Sequence, residues 1–294
     1  MSLQQLVEYF NNRFGQEHHS SFRPLILEEK KVTGLFGPIR IDSVFAPIRQ
    51  TLRPTVIIGH TAQMAVATYK PQHLHTNEID ALLVNNPPQA TDFESIINFD
   101  RLSRTVHMLN YLLLSHLQGV LFLEVDPRHI LGIKQDHGAY FQEMIIQCGL
   151  DIKNIVMVLA VNSQYARYYQ QLVNGLDNYR HRGYQIALKF DGFAQGDQVL
   201  DLIAKLSPNY VSFSARNIER VQENTILEKL QQLKTGVEQA GGQSILQQID
   251  EKRFDLLARN IGFDLVEGGY YRAIAFDYLS NEKSGVAHLN ALIG

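Results

Sequence analysis

The stretch YQIALKFDGFAQGDQVLDLIAKLSPNYVSFS, residues 184–214, decides the fold. It opens with a short apolar run at 184–190 and continues with a helical pattern at 196–206. It closes with a second apolar run at 210–214. An apolar strand, a helix and a second apolar strand form a βαβ unit, whose strands run parallel. The stretch therefore predicts a parallel sheet with helices packed on it.

The same alternation of β-rich runs and helical segments continues along the chain from about residue 40. The β-rich runs are SVFAPI, TVIIGHTA, GVLFLEV, NIVMVLAV, YQIALKF, YVSFSA, SILQQI and DLVEGGYY. Eight such units in succession predict a closed (β/α)8 barrel of the TIM type. An open doubly wound sheet is the alternative, but no run is followed by a G-x-G-x-x-G or P-loop turn.

Composition narrows the classes of function. The chain has 294 residues, 45% of them hydrophobic, which suffices for a large core in one or two domains. Its net charge of −3 and the lack of a basic tract argue against nucleic-acid binding. A single cysteine, Cys148, excludes an internal disulfide framework and indicates a reducing compartment. Without a signal peptide or an apolar run long enough for a bilayer, we expect a cytoplasmic protein with no membrane insertion.

The N-terminus shows a helical pattern that starts at a capping residue, Ser2. The apolar residues of this pattern fall on one face: Leu3, Leu6, Val7, Phe10 and Phe14. This face indicates either a helix packed on the main body or a partner-binding helix. The sequence thus divides into an N-terminal helical extension (1–40), a barrel (41–275) and a C-terminal tail (276–294).

Acidic residues stand at four of the predicted strand ends. In a barrel, function lies at the C-terminal ends of the strands and in the loops that follow them. The acids at these positions are Glu124, Asp191, Asp250 and Glu267. Converging carboxylates could hold a hard cation such as Mg²⁺ or Mn²⁺, whereas a lone strand-end acid usually caps a helix or lies in solvent. We expect no cofactor, with this cluster as the metal site if one exists.

Several other motifs have two interpretations. In DPRH (126–129), Asp126 is expected to cap a helix, although His129 could also lie near the barrel mouth. His73 and His75, like the EHH triplet at 17–19, have metal-ligand spacing but are expected to be solvated loop residues. Cys148 stands in an apolar context without a neighbouring base, which predicts an inert thiol.

Five stretches in order resemble the EAL domain family, the cyclic di-GMP phosphodiesterases. The match extends over roughly residues 40–275. The stretches are VFAPIRQ with VIIGHTAQMA, LFLEVDP, VMVLAVNS, DGFAQGDQVLDLIAKLSPNYVSFS and ILQQIDEKRFDLLARNIGFDLVEGGYY. They are similar to the family's F-Q-P-I and E-A-L segments, its asparagine strand, its E-I-T-E segment, its D-D-F-G loop with the K-I-D strand, and its E-G-V-E to Q-G-Y segment. The resemblance implies an EAL-type barrel.

The resemblance also assigns the four acids. Asp191 stands at the first aspartate of the D-D pair, and Asp250 at the second glutamate of E-G-V-E. Glu124 replaces the asparagine of the preceding strand, and Glu267 replaces the glutamine of Q-G-Y. By this resemblance, two of the four acids are additions at positions that are neutral in the family.

Most of the family's metal ligands are replaced in this chain. By resemblance, Thr61 stands for the signature glutamate of E-A-L, and Gly192 for the second aspartate of the D-D pair. Leu159 and Asn162 stand for the two glutamates of E-I-T-E, and Gln247 for the first glutamate of E-G-V-E. A two-metal centre needs the charge of these carboxylates, so the resemblance implies a member that binds no catalytic metal.

The family's remaining functional groups are also replaced. Ser212 and Ser214 stand for the lysine and the aspartate of K-I-D, and Ala65 stands for the arginine that follows E-A-L. Ala46 stands for the glutamine of F-Q-P-I. A catalytic unit loses most of its activity with one member, so we expect the chain to be inactive as a phosphodiesterase.

The resemblance favours a non-catalytic regulatory protein that binds another protein in the control of motility, biofilm formation or adhesion. A receptor that binds cyclic di-GMP without hydrolysis is the alternative, although the charges of Glu124 and Glu267 oppose phosphate binding. A rebuilt metal-dependent phosphodiesterase is a third interpretation. We expect the N-terminal extension to be the partner-specific element. Deleting residues 1–14 is then expected to leave a folded barrel but to weaken a partner interaction. A homodimer is an additional expectation from the resemblance.

Overall fold

A computed structural model describes residues 1–17, 22–68, 93–114, 119–133, 138–190, 196–220 and 223–272. The strands are β1 Leu25–Glu28, β2 Lys31–Phe36, β3 Ile39–Gln50, β4 Ile57–Thr68, β5 Val120–Val125, β6 Ile155–Val161, β7 Gln185–Phe190, β8 Tyr210–Ser214, β9 Gln243–Gln247 and β10 Leu265–Val266. The helices are α1 Leu3–Glu17, α2 Phe93–Tyr111, α3 Pro127–Gly132, α4 Ala139–Gln147, α5 Tyr169–His181, α6 Gly196–Leu206, α7 Glu223–Gln239 and α8 Lys252–Ile261.

Strands β3 to β10 close into an eight-stranded barrel. Each strand pairs with the next from β4 to β10, and β10 returns to pair with β3. These seven strands run parallel, as the sequence predicted, whereas β3 runs antiparallel to both of its neighbours. A tight connection between β3 and β4 requires this antiparallel pairing, because a parallel pair needs a long crossover. The predicted barrel is confirmed.

The barrel strands alternate between two hydrophobic layers, because successive side chains of a strand point to opposite faces. The outer layer lies between the strands and the helices and forms the main core. The inner layer fills the barrel with Ile48, Phe122, Val156, Val158, Ala187, Tyr210, Ile245 and Leu265. Burial on both faces explains why the strands appear in the sequence as continuous apolar runs.

The N-terminal segment is integrated into the core. In α1 the side chains of Leu6, Val7, Phe10 and Phe14 are buried, which confirms the predicted packing face. The extension also contains the β1–β2 hairpin, which the sequence did not suggest and which continues onto β3. Deleting residues 1–14 would remove this apolar face from the core, which argues against the expectation that the shortened chain folds.

Strand β3 crosses the expected boundary at residue 40, since it begins at Ile39. The barrel ends at β10, and a helical turn follows over residues 269–272. The expected tail, 276–294, and the histidines at 18, 19, 73 and 75 lie outside the described residues, as does Asp191. In the part of the chain that is described, no helix is long and apolar enough to cross a bilayer.

Candidate functional site

A cavity of about 710 Å³ opens at the C-terminal ends of the barrel strands. It extends from the barrel mouth to the side of α2. Its lining is rich in charged and amide side chains and includes Ala46, Thr61, Gln63, Asp100, His107, Glu124, Asp126, Arg128, Lys189, Arg216, Gln247, Asp250, Glu267 and Arg272. The barrel therefore carries its candidate site at the end where barrel proteins place theirs.

Three of the four predicted acids line this cavity. Glu124, Asp250 and Glu267 come from the ends of β5, β9 and β10, which confirms that these strand ends converge. Asp191 lies outside the described residues. Whether any of the three is available to a ligand depends on what each carboxylate already contacts.

Glu267 is buried, with 4% of its surface exposed, and three neutral side chains donate hydrogen bonds to it. Thr61 Oγ1 donates over 2.7 Å and Gln247 Nε2 over 2.9 Å to one carboxylate oxygen. Gln63 Nε2 donates to the other oxygen over 3.3 Å. Burial raises the pKa of the Glu267 carboxyl, while the hydrogen bonds from Thr61 and Gln247 and the charges of Lys189 and Arg272 oppose the rise.

The backbone around Glu267 is fixed by a glycine. A Cβ on Gly268 would lie 2.0 Å from the carbonyl oxygen of Ile249, so only glycine allows this close approach. The Ile249 amide donates to the Glu267 carbonyl, and the Glu267 amide donates to the Leu246 carbonyl. Glu267 is therefore held rigidly, with its carboxylate turned toward Thr61 and Gln247.

Glu124 is paired with a lysine that the sequence reading did not single out. The Lys189 Nζ on β7 donates to Glu124 Oε2 on β5 over 3.0 Å, so the pair reaches across the intervening strand β6. Lys189 also stands opposite Ser212 in the pairing of β7 with β8. A positive charge is thus present one strand away from the position where the resemblance shows a lysine replaced by serine.

Asp250 lies at the rim of the cavity. Its carboxylate accepts the backbone amide of Gly269 over 3.2 Å and lies 3.8 Å from the Arg216 guanidinium. Both partners of the Arg216–Asp250 pair are more than half exposed, so water screens their attraction. Asp250 therefore acts mainly as an anchor for the backbone that follows Glu267.

Strand β6 corrects one sequence-based assignment. Leu159 packs in the outer core, facing the helices, rather than at the mouth. The inward position on this strand is Val158, followed by Ala160 through the alternation of side chains. Asn162 follows the strand, and its side chain accepts the amide of Gln164 as a helix cap. The inward face of β6 supplies no polar ligand.

Four other positions of the resemblance carry uncharged polar side chains at or beneath the mouth. Thr61 and Gln247 line the mouth, and Ser212 lines a small pocket beneath it. Ser214 is 6% exposed, and its hydroxyl donates to the side chain of Gln248. Thr61 and Gln247 donate to Glu267, whereas the Ser212 hydroxyl donates to the backbone carbonyl of Leu188.

A two-metal centre does not fit these residues. Hard divalent cations require several carboxylate oxygens, with charge to balance two ions. Among the described residues, no group of three histidine, cysteine, aspartate or glutamate side chains converges as metal ligands. Thr61, Gln247 and Val158 are neutral, Glu124 is paired with Lys189, and Glu267 is saturated with donors. We therefore derive no chemistry through a metal.

A buried ion network lies beside the mouth, beneath α2 and α3. The Asp100 carboxylate contacts the Arg104 guanidinium, accepts the Asp126 amide over 3.0 Å and lies 2.7 Å from His129 Nδ1. Asp126 caps α3 by accepting the Arg128 amide, which confirms the predicted cap. His129 belongs to this network and does not line the cavity.

Cys148 has the expected inert environment. Burial raises the pKa of its thiol to about 12, so that it remains protonated at neutral pH. The thiol is therefore a poor nucleophile and a poor metal ligand.

Comparison with known proteins shows likeness at the level of structure. No family model matches the sequence, and no curated protein matches it. BlrP1 of Klebsiella pneumoniae, in a manganese and cyclic di-GMP complex, superposes with a TM-score of 0.60 at 16% identity. The match covers 80% of this chain and 56% of the BlrP1 chain, so this chain spans little more than half of that protein.

Two other solved structures show the same fold. A standalone EAL protein of Vibrio cholerae, bound to cyclic di-GMP, matches with a TM-score of 0.57 at 16% identity, covering 78% of this chain and 90% of that one. The EAL-containing protein YkuI of Bacillus subtilis, with cyclic di-GMP and calcium, matches with a TM-score of 0.56 at 16% identity, covering 84% and 63%. The chain therefore has the fold of EAL domains.

Proposed function

We propose that the protein is a non-catalytic EAL-type regulatory protein that binds another protein in cyclic di-GMP-linked control of motility, biofilm formation or adhesion. The observation that supports this proposal is that the acidic side chains at the barrel mouth are already bonded to neighbouring side chains. Glu267 is saturated by Thr61, Gln63 and Gln247, and Glu124 is paired with Lys189. Side chains that are hydrogen-bonded or ion-paired to one another stabilise the barrel mouth. They leave few polar groups to contact a reacting phosphodiester.

The chemistry of hydrolysis supports this proposal. Metal-assisted hydrolysis of a phosphodiester needs a deprotonated water and positive charge against the phosphoryl oxygens. The position of the signature glutamate holds Thr61, whose hydroxyl is committed to Glu267. Lys189 stands opposite Ser212, the position of the lysine in the resemblance, but its charge is compensated by Glu124. The groups that remain neither activate a water nor hold two cations.

A hydrolysis assay tests the loss of catalysis. The chain is incubated with cyclic di-GMP, and separately with bis-para-nitrophenyl phosphate, in the presence of Mn²⁺ or Mg²⁺. We expect no turnover above that of the Asp191→Asn variant. Turnover that requires Mn²⁺ and disappears in Asp191→Asn, with Asp201→Asn on α6 as the matched control, would instead establish the rebuilt metal enzyme.

A receptor for cyclic di-GMP is the second candidate, and the cavity itself favours it. About 710 Å³ remains open at the mouth, and the exposed guanidinium groups of Arg216 and Arg272 lie at its edge. Arginine forms charge-assisted hydrogen bonds with phosphate. The three solved structures compared above contain cyclic di-GMP.

Calorimetry with cyclic di-GMP, with and without Mg²⁺ or Mn²⁺, separates the two candidates. Our proposal expects no micromolar binding. Micromolar binding that Arg272→Ala weakens at least tenfold, while Arg259→Ala on α8 leaves it unchanged, would favour the receptor. Arg259 is a suitable control because its guanidinium pairs with Asp255 away from the cavity.

Partner binding is tested with the full chain as bait in extracts of the source cell. We expect a partner that also binds the purified chain stoichiometrically and whose affinity is unchanged by cyclic di-GMP. Absence of any such partner, together with micromolar nucleotide binding, would overturn the proposal in favour of the receptor.

A further inference from the structure

An apolar pocket lies beside α2, on a different face of this helix from the barrel mouth. This N-terminal pocket has a volume of about 250 Å³, and its lining includes Phe14, Phe22, Leu35, Phe36, Asn98 and Leu102. Asn98 and Leu102 belong to α2, whereas the α2 residues of the mouth cavity include Asp100 and His107. The other four belong to the first forty residues, which the resemblance to EAL domains does not cover. The N-terminal segment thus contributes a site of its own.

The N-terminal pocket has an exposed rim and a buried floor. Phe22 is 53% exposed. Gly37, at the turn from β2 to β3, also lines the pocket, and a Cβ placed on it would meet no atom beyond its chain neighbours within 4 Å. Phe14 and Leu102, in contrast, are buried in the main core. An apolar floor with an accessible rim is what a ligand site requires.

The lining of the N-terminal pocket favours an uncharged ligand. Among the described residues, no charged side chain lines it. A charge placed there would lose its water without gaining a partner, which is unfavourable. Of the described lining, only Asn98 has a polar side chain, and its amide has no hydrogen-bond partner in the described part of the chain. The pocket thus fits a neutral molecule with one hydrogen-bonding group.

The size of the pocket and the rings that line it indicate an aromatic ligand. An apolar cavity of about 150 Å³ accepts one benzene molecule. A volume of about 250 Å³ therefore has room for two fused rings. Aromatic rings pack favourably edge-on or offset against one another, and Phe14, Phe22 and Phe36 all line the space. A rigid ring system also loses less conformational freedom on binding than an acyl chain does.

We propose that the N-terminal pocket binds a small, uncharged, two-ring aromatic molecule of the indole class, whose N–H donates to the side-chain oxygen of Asn98. Phe36 contacts Phe99 with 5.4 Å between the ring centres, and Phe99 lines the mouth cavity. A ligand in the pocket therefore lies one aromatic contact away from the mouth. Binding in this pocket is independent of whether the mouth binds a nucleotide and of which protein is the partner.

Indole itself is the probe for the native chain. The chain contains no tryptophan, so indole fluorescence reports the ligand without a tryptophan background. We expect a titration of the full chain to saturate at one indole per chain, with a Kd of about 1 mM or lower. Indole-3-acetate adds a negative charge to the same rings and should bind at least tenfold more weakly. Absence of saturation with indole, or equal binding of the two molecules, overturns the proposal.

The variant Asn98→Leu tests the hydrogen bond. Naphthalene has the shape of two fused rings but lacks an N–H donor. We expect Asn98→Leu to bind indole about three- to tenfold more weakly than the native chain does. Naphthalene should bind the variant at least as well as it binds the native chain, because it loses no hydrogen bond. An equal change for both molecules contradicts the role assigned to Asn98.

A matched pair of larger side chains tests the location. Leu35→Phe enlarges a residue that lines the pocket, whereas Leu27→Phe makes the same change at a half-buried position of β1 outside the described lining. We expect Leu35→Phe to weaken the binding of indole and naphthalene at least tenfold, and Leu27→Phe to leave both unchanged. Asn98 is only partly buried on α2, so its variant provides the test if Leu35→Phe folds poorly. Unchanged binding in a folded Leu35→Phe variant places the ligand elsewhere and overturns the proposal.

Discussion

Two buried carboxyl groups of this protein, Asp100 and Glu267, have pKa values that are shifted in opposite directions. Both are less than a tenth exposed, at 7% and 4%. The pKa of Asp100 is lowered to about 2, because Arg104 and His129 outweigh the cost of burial. The pKa of Glu267 is raised by burial, because its contacts are neutral donors and its cations lie farther away. Contact with a cation, rather than burial alone, thus decides the direction in which the pKa of a buried carboxyl group shifts here.

The difference also separates the roles of the two regions. The Asp100 network joins α2 to α3 through charge, so its members are mutually dependent. The Glu267 cluster joins β4, β9 and β10 through hydrogen bonds from neutral side chains. When the acid is protonated, these hydrogen bonds rearrange rather than disappear. The first region is held together by ion pairs, whereas the second is held together by hydrogen bonds at the barrel mouth.

The substitution with the largest expected effect is Asp100→Asn, which tests whether the Asp100 network is held together by charge. Arg104 is 1% exposed, so removal of its counter-charge leaves a buried cation without compensation. Breaking a buried pair by removing one partner costs about 3–5 kcal/mol. We expect urea denaturation to show a loss of that size. The exposed Asp201→Asn on α6 is the control, with a change of less than about 0.5 kcal/mol. An equal effect of the two substitutions would contradict the assigned role of the network.

The second test uses His107, whose ring is buried beside the network and lies 2.8 Å from the Ser43 hydroxyl. Burial lowers its pKa to about 4, while Asp100 raises it and Arg104 lowers it further. The unfolded chain therefore binds a proton at higher pH than the folded chain. As pH falls from about 6.5 to about 4, the preference of the unfolded chain for protonated His107 should lower the free energy of unfolding by up to about 3 kcal/mol.

The variant His107→Gln should remove that part of the acid destabilisation. The measurement is the free energy of unfolding at pH 7 and pH 4.5 for the native chain and the variant. His181→Gln serves as control, since His181 is exposed on α5. A pH dependence unchanged in His107→Gln would show that the ring is not buried in its neutral form.

Glu267→Gln tests the second buried carboxyl group, whose pKa is raised. A raised carboxyl pKa means that the folded chain holds its proton to higher pH than the unfolded chain. Stability from this group is present below the unfolded value and is lost as pH rises through the folded value. We expect the stability difference between Glu267→Gln and the native chain to move in favour of the variant between pH 4 and pH 7.

Urea denaturation at both pH values measures this effect, with the exposed Glu228→Gln on α7 as the control. A difference that moves in favour of the native chain would indicate that Glu267 is held by a cation, as Asp100 is. The two buried acids would then be of the same kind.

The sequence predicted the barrel because each parallel strand is a continuous apolar run. For the same reason it could not predict which side of a strand faces the barrel interior, since a strand buried on both faces shows no alternation. Leu159 was therefore placed at the mouth, although Val158 occupies the inward position. The acids Glu124 and Glu267 were placed correctly because strand ends are marked by the first polar residues.

The partners of those acids were not predicted. Lys189 had one signal, because it is the charged residue of YQIALKF and stands two positions before Asp191 in the sequence. No signal in a single sequence indicates the Asp100 network, since charged residues of a helix are normally exposed. Its burial depends on the packing of α2 against α3.

The smallest expected effect is that of Lys189→Met, which tests whether the mouth pair carries stability or ligand affinity. The side chains of Lys189 and Glu124 are 30% and 45% exposed, so their pairing should contribute less than about 1 kcal/mol. We expect the loss to shrink in 1 M salt, as screening predicts. Lys205→Met, on the outer helix α6, is the matched control. A loss well above 1 kcal/mol would place Lys189 with the Asp100 network. A small loss, combined with a tenfold weaker cyclic di-GMP affinity in calorimetry, would make Lys189 a ligand anchor and would favour the receptor over the protein-binding role.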